Sequence, residues 1–406
     1  MHEKKKILIF IDWFLPGYKA GGPVRSMANM VEYLGDRYDF YIVTRNTDYT
    51  ETVPYDGISP NQWIDFAPAV KVFYCSQAYQ NLSFFRKIIK MEKFDVAYVN
   101  GIYSWKYSIL PLIALRKFAG KKIVASRGML ATSAINVKGG KKRLFLSMVK
   151  WLNLYKGVTF HATNEREKED VKREIGSRSK VVIADNLPKK NMPEKRALEK
   201  RAGKLKLVSL ARISPEKNTL FAIKCLKQLG DFDGEINLDL YGQIYNQTYW
   251  EQCKTIIRRL PKNIAVTHKG IVDAEKVGET IQDYHVMFLP SRGENFGHVI
   301  LESFMAGRPV LISDQTPWRE LEKDSCGWDL SLVEEQGPVS KEQEAKGKES
   351  SNAKATQDKE WGRVLHELLR MQQEKFDILC EGAEKRATAF INDPGLLKAY
   401  EGLLEC

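Results

Sequence analysis

The chain has 406 residues, which is too many for one ordinary hydrophobic core and suits two domains. Hydrophobic residues make up 43% of it and charged residues 28%, as in globular proteins. No run approaches the ~18–20 apolar residues that cross a bilayer, so we expect no membrane-spanning helix. Six cysteines without a paired spacing, and a first apolar run too short for a signal peptide, indicate a cytoplasmic protein.

The net charge of +12 lies in the first half of the chain. Residues 1–200 carry 35 Lys and Arg against 19 Asp and Glu, a net of +16, whereas residues 201–406 carry 28 against 32, a net of −4. A basic half is typical of a protein that faces an anionic partner. A membrane surface, a phospholipid-linked acceptor and nucleic acid fit this charge, and so does a solvated surface without a partner.

Strand and helix patterns alternate along the first half. Such an alternation predicts a parallel sheet with both faces covered, in which ligands bind beyond the carboxyl ends of the strands. A long loop is predicted at 45–69. Apolar runs predict strands over residues 4–12, 40–44, 70–74, 94–99, 122–125, 160–162 and 180–184.

The loop after the first predicted strand ends in paired glycines, Gly21 and Gly22, directly before Pro23. Proline favours the first turn of a helix, and the glycines let a ligand approach backbone N–H groups closely. Arg25 lies in that first turn. This arginine is placed to reach the phosphate of a substrate that accepts a transferred group, or it is an ordinary surface arginine.

Residues 138–156, KGGKKRLFLSMVKWLNLYK, contain an apolar stripe surrounded by cations. This pattern is typical of a helix on an anionic membrane and also of a helix packed on its own sheet. We favour core packing of the stripe, with the lysines exposed in either case. The stripe consists of Leu144, Met148, Trp151, Leu152 and Tyr155, and the cations are Lys141, Lys142, Arg143, Lys150 and Lys156.

The alternation restarts after a Pro- and Lys-rich linker at residues 186–204. Residues 334–360 are poor in apolar side chains and are predicted to form a mobile, exposed loop with some frayed helix. Helical patterns follow it, the last of them at 396–404. Apolar runs predict strands over 205–210, 236–241, 266–271, 285–289 and 310–312.

The stretch at residues 289–318, LPSRGENFGHVILESFMAGRPVLISDQTPW, predicts a strand end, a glycine turn, a helix and a further strand. A helix that opens directly after such a turn presents backbone N–H groups and the positive end of its dipole, which suits a diphosphate. Glu294 precedes this helix, and Glu302 lies inside it.

The pattern Gly-Glu-x-Phe-Gly-x4-Glu-x4-Gly-x-Pro-Val resembles the E-x7-E signature of retaining family-4 glycosyltransferases. The resemblance implies the α/β GT-B fold, in which two Rossmann-like parallel-sheet domains face a cleft. It also implies that Glu294 contacts hydroxyls of the donor sugar and that Glu302 contacts the nucleotide ribose. Asn295, Phe296 and Gly297 then belong to the donor site, with backbone amides near the diphosphate.

Arg212 and Lys217 flank a predicted strand-to-helix turn, where two cations would neutralise a diphosphate. The element resembles the family's Gly-Arg-x4-Lys motif, with an alanine where glycine is commoner. With Glu294 these residues form the implied catalytic set. The family also implies that the nucleotide base lies near Gly242 and Ile271.

In the first half, residues 126–130 read SRGML. This segment resembles an Arg-Gly-Met-Leu subgroup of bacterial surface-polysaccharide enzymes, and many other family members have a histidine-containing segment there. Arg127 pairs well with oxyanions through its planar fork, so it is predicted to bind the donor pyrophosphate or an anionic acceptor group, unless it is structural. The resemblance places Gly21 and Gly22 at the acceptor side of the cleft, and Arg25 and Arg127 complete that set.

The resemblance implies an acceptor-side domain at 1–185, the linker at 186–204, a nucleotide-sugar-binding domain at 205–385, and a C-terminal helix within 386–406 that crosses back to the first domain. The implied reaction moves a sugar from a nucleotide-diphosphate donor to a glycan or lipid-linked acceptor, without a metal or other cofactor. Same-face attack would retain the anomeric configuration. Polysaccharide or lipopolysaccharide assembly is the implied process, in the cytoplasm or at the inner face of the membrane.

Other interpretations remain open. They are a catalytically silent GT-B domain that binds a membrane or a polysaccharide machine, a nucleotide-sugar epimerase, a phosphorylase, and a nucleic-acid binder. The intact cations and glutamates argue against a silent domain, and we expect no nucleic-acid partner because only the basic first half suggests one. Residues 231–233 are formally a DxD metal motif, but their place between a helix and a strand predicts a turn.

Overall fold

A computed structural model describes residues 3–131, 135, 139–190, 192–230, 232–332 and 347–405. The chain forms two compact units, one of residues 1–190 with 393–406 and one of residues 191–392. The first boundary lies inside the predicted linker at 186–204. The second lies at residue 393, rather than at 386, because the preceding helix still packs in the second unit.

The first unit is built on an eight-stranded sheet. Its strands are β1 (Lys5–Ile11), β2 (Tyr38–Arg45), β3 (Trp63–Ala67), β4 (Val70–Cys75), β5 (Val96–Asn100), β6 (Lys121–Ala125), β7 (Val158–Ala162) and β8 (Lys180–Ile183). Their order in space is β3-β4-β2-β1-β5-β6-β7-β8. All neighbours pair in parallel except β3, which pairs antiparallel with β4.

Strand β3 lies within residues 45–69, which were predicted to be a loop, so that prediction was wrong for residues 63–67. The strand is at the edge of the sheet, and its last three residues are exposed. A strand without a buried face carries no alternation of apolar and polar residues, and the sequence pattern therefore missed it.

Helices pack on both faces of this sheet. They are α1 (Gly22–Leu34), α2 (Leu82–Met91), α3 (Leu110–Ala114), α4 (Gly139–Trp151) and α5 (Glu165–Glu174), with a π-helical turn at Trp105–Ile109. Alternate residues of β1 point to opposite faces, and Ile7, Leu8, Ile9 and Phe10 are all buried. Leu8 and Phe10 pack in one cluster with Phe85 of α2.

Helix α4 does not pack as predicted. Leu146 and Val149 are buried, whereas Leu144, Met148 and Trp151 are 74%, 38% and 81% exposed. The prediction that the stripe of Leu144, Met148 and Trp151 packs in the core was therefore wrong. The helix has apolar residues around most of its circumference, so periodicity does not decide which of them face the sheet.

The second unit has a six-stranded sheet that is parallel throughout. The strands are β9 (Lys204–Leu210), β10 (Glu235–Tyr241), β11 (Ile264–Gly270), β12 (Val286–Leu289), β13 (Val310–Ser313) and β14 (Gly327–Leu330), in the spatial order β11-β10-β9-β12-β13-β14. The chain builds outward from β9 to β11 and then restarts on the other side of β9 with β12. The neighbours β9 and β12 therefore form a topological switch point, where α/β sheets bind ligands.

The helices of the second unit are α6 (Thr219–Lys227), α7 (Gln247–Ile257), α8 (Val277–Gln282), α9 (His298–Met305), α10 (Gly347–Arg370) and α11 (Gln373–Ile391). Residues 347–360, predicted to be a mobile loop with some frayed helix, are helical throughout and begin α10. The rest of that predicted loop, residues 334–346, lies outside the described residues. Trp361 and Leu365 are fully buried, and a packed turn lets a helix extend into a polar sequence that would not nucleate one by itself.

The predicted linker packs on the second unit. Arg308, a buried arginine, donates to the carbonyl oxygen of Arg196 at 2.8 Å. Lys200 is also buried and donates to the carbonyl oxygen of Met371 at 3.1 Å, and burial lowers the pKa of this lysine to about 8. Cationic side chains thus hold the segment through backbone oxygens.

The last helix, α12 (Pro394–Leu404), belongs to the first unit. Asp393 caps it by accepting a hydrogen bond from the Gly395 N–H at 2.8 Å. Tyr400 is buried, and its ring packs edge-on against His161 of β7 with the centroids 5.6 Å apart. Across the described parts of the chain, no helix combines the length and the apolar character that crossing a membrane requires.

Candidate functional site

The loops that follow β9 and β12 meet at the switch point of the second sheet. The Arg292 N–H donates to the carbonyl oxygen of Glu216 at 2.8 Å, and the Ser291 hydroxyl donates to the same oxygen at 3.1 Å. Because β9 and β12 run parallel as neighbours, their carboxyl ends lie at one edge of the sheet. Motifs 77 residues apart in the chain are thereby brought together.

Lys217 and Glu294 are in direct contact there. Lys217 Nζ donates to Glu294 Oε1 at 2.5 Å, and the two side chains are only 20% and 11% exposed. The Glu294 N–H also donates to the carbonyl oxygen of Gln315, which follows β13, at 3.0 Å. The ends of three strands thus position this ion pair.

Arg212 is on the same loop after β9 as Lys217 and is exposed. Its guanidinium lies over the ring of Tyr245, 5.2 Å from the centroid, a cation–π contact. Among the residues that the structure describes, no carboxylate forms an ion pair with Arg212. Tyr245 was not predicted from the sequence, although an aromatic residue three positions after the glycine at a strand end was the available signal.

The start of α9 follows Glu294 directly. Gly297 caps the helix with a positive φ of 79°, and a Cβ there would lie 2.7 Å from the Ile300 side chain, so the turn requires glycine. The first-turn N–H groups of such a helix point away from its own hydrogen-bond ladder. At α6, by contrast, the N–H of Leu220 donates to the hydroxyl of Tyr249 at 2.8 Å, so fewer donors remain at that helix start.

Phe296 and Asn295 fill the turn between Glu294 and α9. Phe296 is buried and packs on Trp318, whose indole N–H donates to the carbonyl oxygen of Phe296 at 2.6 Å. The Phe296 side chain is therefore part of the core and is not available to contact a ligand. Asn295 is half-buried.

Glu302 lies in the second turn of α9 and is 7% exposed. It is the most buried carboxylate among the described residues of the second unit. Carboxylates are rarely buried to this extent in proteins, which singles out this position.

Gly242 and Ile271 stand at the carboxyl ends of β10 and β11. The φ of Gly242 is 145°, and a Cβ there would lie 2.0 Å from the carbonyl oxygen of Ala211. Close packing of the two strand ends therefore requires this glycine, whether or not a base lies beside it. Ile271 is 48% exposed.

In the first unit, Gly21 and Gly22 open α1 at the carboxyl end of β1. Gly21 has a φ of 74°, and open space surrounds the Cβ positions of both glycines. The carboxylate of Asp48, which the sequence analysis missed, accepts from the N–H of Tyr18 at 3.0 Å and so holds this loop. Arg25 lies half-buried in the first turn of α1.

Arg127 follows β6, which is separated from β1 by β5 in the same sheet. Its φ is 51°, in the left-handed region. Three hydrogen bonds from its guanidinium go to neutral groups: Asn100 Oδ1 at 2.7 Å, Asn186 Oδ1 at 2.6 Å and the hydroxyl of Tyr98 at 3.0 Å. These partners orient the guanidinium without neutralising its charge, an arrangement suited to an anion.

Glu167 holds the turn that contains Arg127. Its buried carboxylate accepts from the Gly128 N–H at 2.6 Å and the Ser126 hydroxyl at 2.7 Å, and its other oxygen accepts from the Thr163 N–H at 2.8 Å. Burial by itself would raise the pKa of Glu167, but these hydrogen bonds outweigh it and the pKa is lowered. Glu167 therefore stays ionised inside the unit.

His161 contacts Arg127 indirectly, through the hydroxyl group of Tyr98. Tyr98 contacts Nδ1 at 2.6 Å, and Nε2 lies 2.7 Å from the carbonyl oxygen of Ala184, which makes Nε2 the protonated nitrogen. Burial, and then the charge of Arg127, lower the pKa of His161 to about 4. A neutral imidazole thus fixes the Tyr98 hydroxyl that orients Arg127.

No group of three or more His, Cys, Asp or Glu that could hold a metal ion occurs among the described residues. Asp231 of the formal DxD motif lies outside them. Asp233 lies in a bend directly before β10, as expected for a turn.

Comparison with solved structures shows the GT-B fold. Sucrose-phosphate synthase from Thermosynechococcus elongatus is 14% identical with a TM-score of 0.67, covering 99% of this chain and 98% of that one. HepE from Anabaena, in complex with UDP and glucose, is 14% identical with a TM-score of 0.64 over 100% of both chains. WaaG, a glycosyltransferase involved in lipopolysaccharide biosynthesis, is 12% identical with a TM-score of 0.54 over 98% of both.

The chain is therefore a GT-B protein, as predicted. Residues 190–328 match the family model described as Glycosyl transferases group 1, and this segment contains Arg212, Lys217, Glu294 and Glu302. The second unit thus carries a glycosyltransferase domain of that group. No curated protein matches the chain.

Proposed function

We propose that this protein is a retaining glycosyltransferase that moves a sugar from a nucleotide-diphosphate-sugar to a glycan or lipid-linked acceptor. The observation that carries the proposal is the meeting of Arg212, Lys217, Glu294 and the start of α9 at the switch point of the second sheet. The segment that contains them matches a glycosyltransferase family.

The chemistry requires stabilisation of a departing nucleoside diphosphate. Arg212 and Lys217 supply two positive charges, and the first turn of α9 supplies backbone N–H groups and the positive end of a dipole. Cations and amides that are fixed before the reaction stabilise developing negative charge most effectively. Glu294, held by Lys217 through one oxygen, orients the sugar by accepting hydrogen bonds from its hydroxyls through the other, and Glu302 contacts the ribose.

In the proposed step, the bond from the anomeric carbon to the phosphate oxygen breaks while the acceptor oxygen bonds to the same face of that carbon. The acceptor proton passes to the departing phosphate oxygen. The configuration is thereby retained, and no nucleophile from the protein is required. Product diphosphate leaves with the charge that Arg212 and Lys217 have stabilised.

We infer that the acceptor binds the first unit at Gly21, Gly22, Arg25 and Arg127. The net charge of +16 over residues 1–200 and the un-neutralised guanidinium of Arg127 support an acceptor with a phosphate or carboxylate group. WaaG, which shares the fold, is involved in lipopolysaccharide biosynthesis, and we propose a similar place in surface-polysaccharide or lipopolysaccharide assembly for this chain, in the cytoplasm or at the inner face of the membrane.

The first experiment is a thermal-shift screen with UDP, GDP and ADP and their common sugar conjugates. A ligand that binds the native state raises its melting temperature by mass action. One nucleotide class should stabilise the wild type, and UDP is the first to test because HepE was solved with UDP and glucose. The shift should shrink in Glu302→Ala but not in Glu279→Ala, a matched change at an exposed glutamate of α8.

Transfer is then measured with the donor that binds. Binding without transfer or donor hydrolysis would favour a catalytically silent domain, and no shift with any nucleotide would contradict the proposed donor site.

We propose that the cations of the protein replace a metal at the diphosphate. Activity should then be unchanged by EDTA, and a loss that Mg²⁺ restores would refute metal independence.

A further inference from the structure

Helix α4 exposes an unusual set of side chains. Trp151 and Leu144, at 81% and 74% exposure, are the two most exposed large apolar side chains among the described residues, and Met148 is 38% exposed. They are spaced i, i+4 and i+7, so they form one stripe along the helix. Leu146 and Val149 are buried on the other side and anchor the helix to the unit.

Cations flank the stripe on both sides. At about 100° per residue, Lys141 lies next to Met148, while Arg143 and Lys150 lie on the other side of the stripe, about 80–100° around the helix from Trp151. All three are exposed, and none forms an ion pair with a carboxylate within the part of the chain that the structure describes. The thirteen residues of α4 contain no Asp or Glu.

A basic groove adjoins the C-terminal end of α4. It has a volume of about 880 Å³ and lies at the amino ends of β6, β7 and β8, the opposite edge of the sheet from Arg127. None of the described residues that line it is Asp or Glu, and Lys150 belongs both to the groove and to the cations that flank the stripe. The cations that line it are Lys121, Lys150, Lys156, Arg178 and Lys180.

We propose that this surface, the stripe of α4 with the adjoining groove, docks the protein on an anionic lipid bilayer. Leu144, Met148 and Trp151 enter the boundary between headgroups and acyl chains, and the bordering cations meet lipid phosphates. The groove accepts one anionic headgroup. Lys138, at the start of the basic segment identified in the sequence, lies outside the described residues.

A bilayer fits the surface better than a protein partner does. Protein interfaces are depleted in lysine and bury about 800 Å² on each side, whereas this apolar stripe is three residues long and bordered by lysines and an arginine. Long cationic side chains reach lipid phosphates while their stems cover apolar surface. Tryptophan favours the interface between water and lipid.

The test measures co-sedimentation of the full chain with vesicles, without donor or acceptor. Wild type should bind phosphatidylcholine vesicles that contain phosphatidylglycerol and should bind pure phosphatidylcholine much less. Leu144→Ser/Trp151→Ser should weaken binding on the order of tenfold or more. The control Met91→Ser/Ile378→Ser removes side chains that are 53% and 57% exposed elsewhere and should bind as wild type does.

A second set of variants tests the charges. Lys141→Gln/Arg143→Gln/Lys150→Gln should lower the affinity for anionic vesicles on the order of 100-fold. Each of the three cations near an anionic surface contributes roughly a fivefold gain in affinity, and the three gains multiply. The control Lys87→Gln/Lys90→Gln/Lys93→Gln makes the same charge change at exposed lysines in and after α2 and should leave binding nearly unchanged. High salt should weaken binding of wild type more than that of the triple α4 variant.

Several outcomes would overturn the proposal. They are no binding to anionic vesicles, equal binding to both vesicle types, and α4 variants that bind as wild type does. Concentration-dependent self-association that is abolished by Leu144→Ser/Trp151→Ser, without vesicle binding, would assign the stripe to a second copy of the chain. Because the assay contains no donor, its failure leaves the proposed transferase function untouched.

Discussion

At the scale of single residues, Lys217 connects the two motifs of the second unit. Its ammonium group lies 2.5 Å from Glu294, on a turn that Ser214 and Asn218 shape. A cation held by a carboxylate before the donor arrives is already oriented, so little reorganisation is needed when the diphosphate approaches. In the proposed reaction, the pair therefore links sugar orientation to phosphate stabilisation.

Replacing this lysine tests that role. Lys217→Ala should reduce turnover about 10²–10³-fold, because one fixed donor to developing negative charge contributes that much. The measurement is kcat with saturating donor and acceptor. Lys254→Ala, at a half-buried lysine of α7 that pairs with Glu251, is the control and should change kcat less than about twofold, because a surface ion pair on α7 contributes little and lies outside the proposed site. A fall of less than about tenfold for Lys217→Ala would contradict the assigned role.

His161 makes the first unit sensitive to acid. Its pKa is lowered from 6.5 to about 4, so between these values the unfolded chain binds a proton that the folded chain does not. Its stabilising contribution is present above pH 6.5 and is lost as the pH falls toward 4. The loss from pH 7 to pH 5 should be about 2 kcal/mol.

Two measurements check this expectation. The ring resonances of His161 in an NMR titration should move by no more than about a tenth of their full protonation shift between pH 7 and pH 5. The free energy of unfolding of His161→Gln should depend less on pH in that window than that of the wild type. A midpoint near 6.5 for His161 would show that the imidazole is not held neutral by burial.

At the scale of elements, the ends of β9 and β10 meet because Gly242 has no side chain. The closest approach is to the carbonyl oxygen of Ala211, directly before Arg212. A shift of this strand end would move the loop that carries Arg212. The backbone contact at Gly242 therefore affects the geometry of the predicted diphosphate site.

Gly242→Ala should therefore lower the free energy of unfolding of the second unit by about 3 kcal/mol, through strain and a steric clash. It should also weaken binding of the nucleotide that the thermal-shift screen identifies. Denaturant unfolding and a titration with that nucleotide measure the two effects. Gly22→Ala, at a helix start with open space around the Cβ position, is the matched control and should change stability by less than about 0.5 kcal/mol.

At the scale of the whole molecule, the chain leaves the first unit at residue 190 and returns to it at residue 393. The returning helix α12 buries Leu396, Tyr400, Leu403 and Leu404 in the first unit. Fully burying such a side chain contributes about 1.5–3 kcal/mol, and a domain as a whole is stable by only about 5–15 kcal/mol. The first unit thus depends on the last residues of the sequence.

A chain that ends at Asn392 should unfold its first unit at a much lower temperature. The transition of the second unit should remain close to that of the full chain, because that unit ends before the deletion. Calorimetry with nucleotide present separates the two, since a bound nucleotide raises only the transition of the unit that holds it. Unchanged transitions for both units would show that α12 is dispensable.

Much of the fold could be predicted from the sequence alone. Apolar runs of three to six residues located every strand of the second sheet except β14, and the glycine turn with its two glutamates implied the GT-B fold. Buried parallel strands read as continuous apolar runs, and turns at strand ends need glycine, so both leave signals that are local in the chain. The regular helix over residues 347–360 and the strand β3 were not predicted, because neither segment has an apolar pattern of its own.

The tertiary structure decided which signals belong together and which surfaces are free. The contact of Lys217 with Glu294, and that of Arg212 with Tyr245, join residues far apart in the chain that only the strand order makes neighbours. The exposure of Leu144, Met148 and Trp151 had the same origin. Periodicity shows that a helix has an apolar face, but burial depends on what packs against it, and that is a property of the whole folded unit.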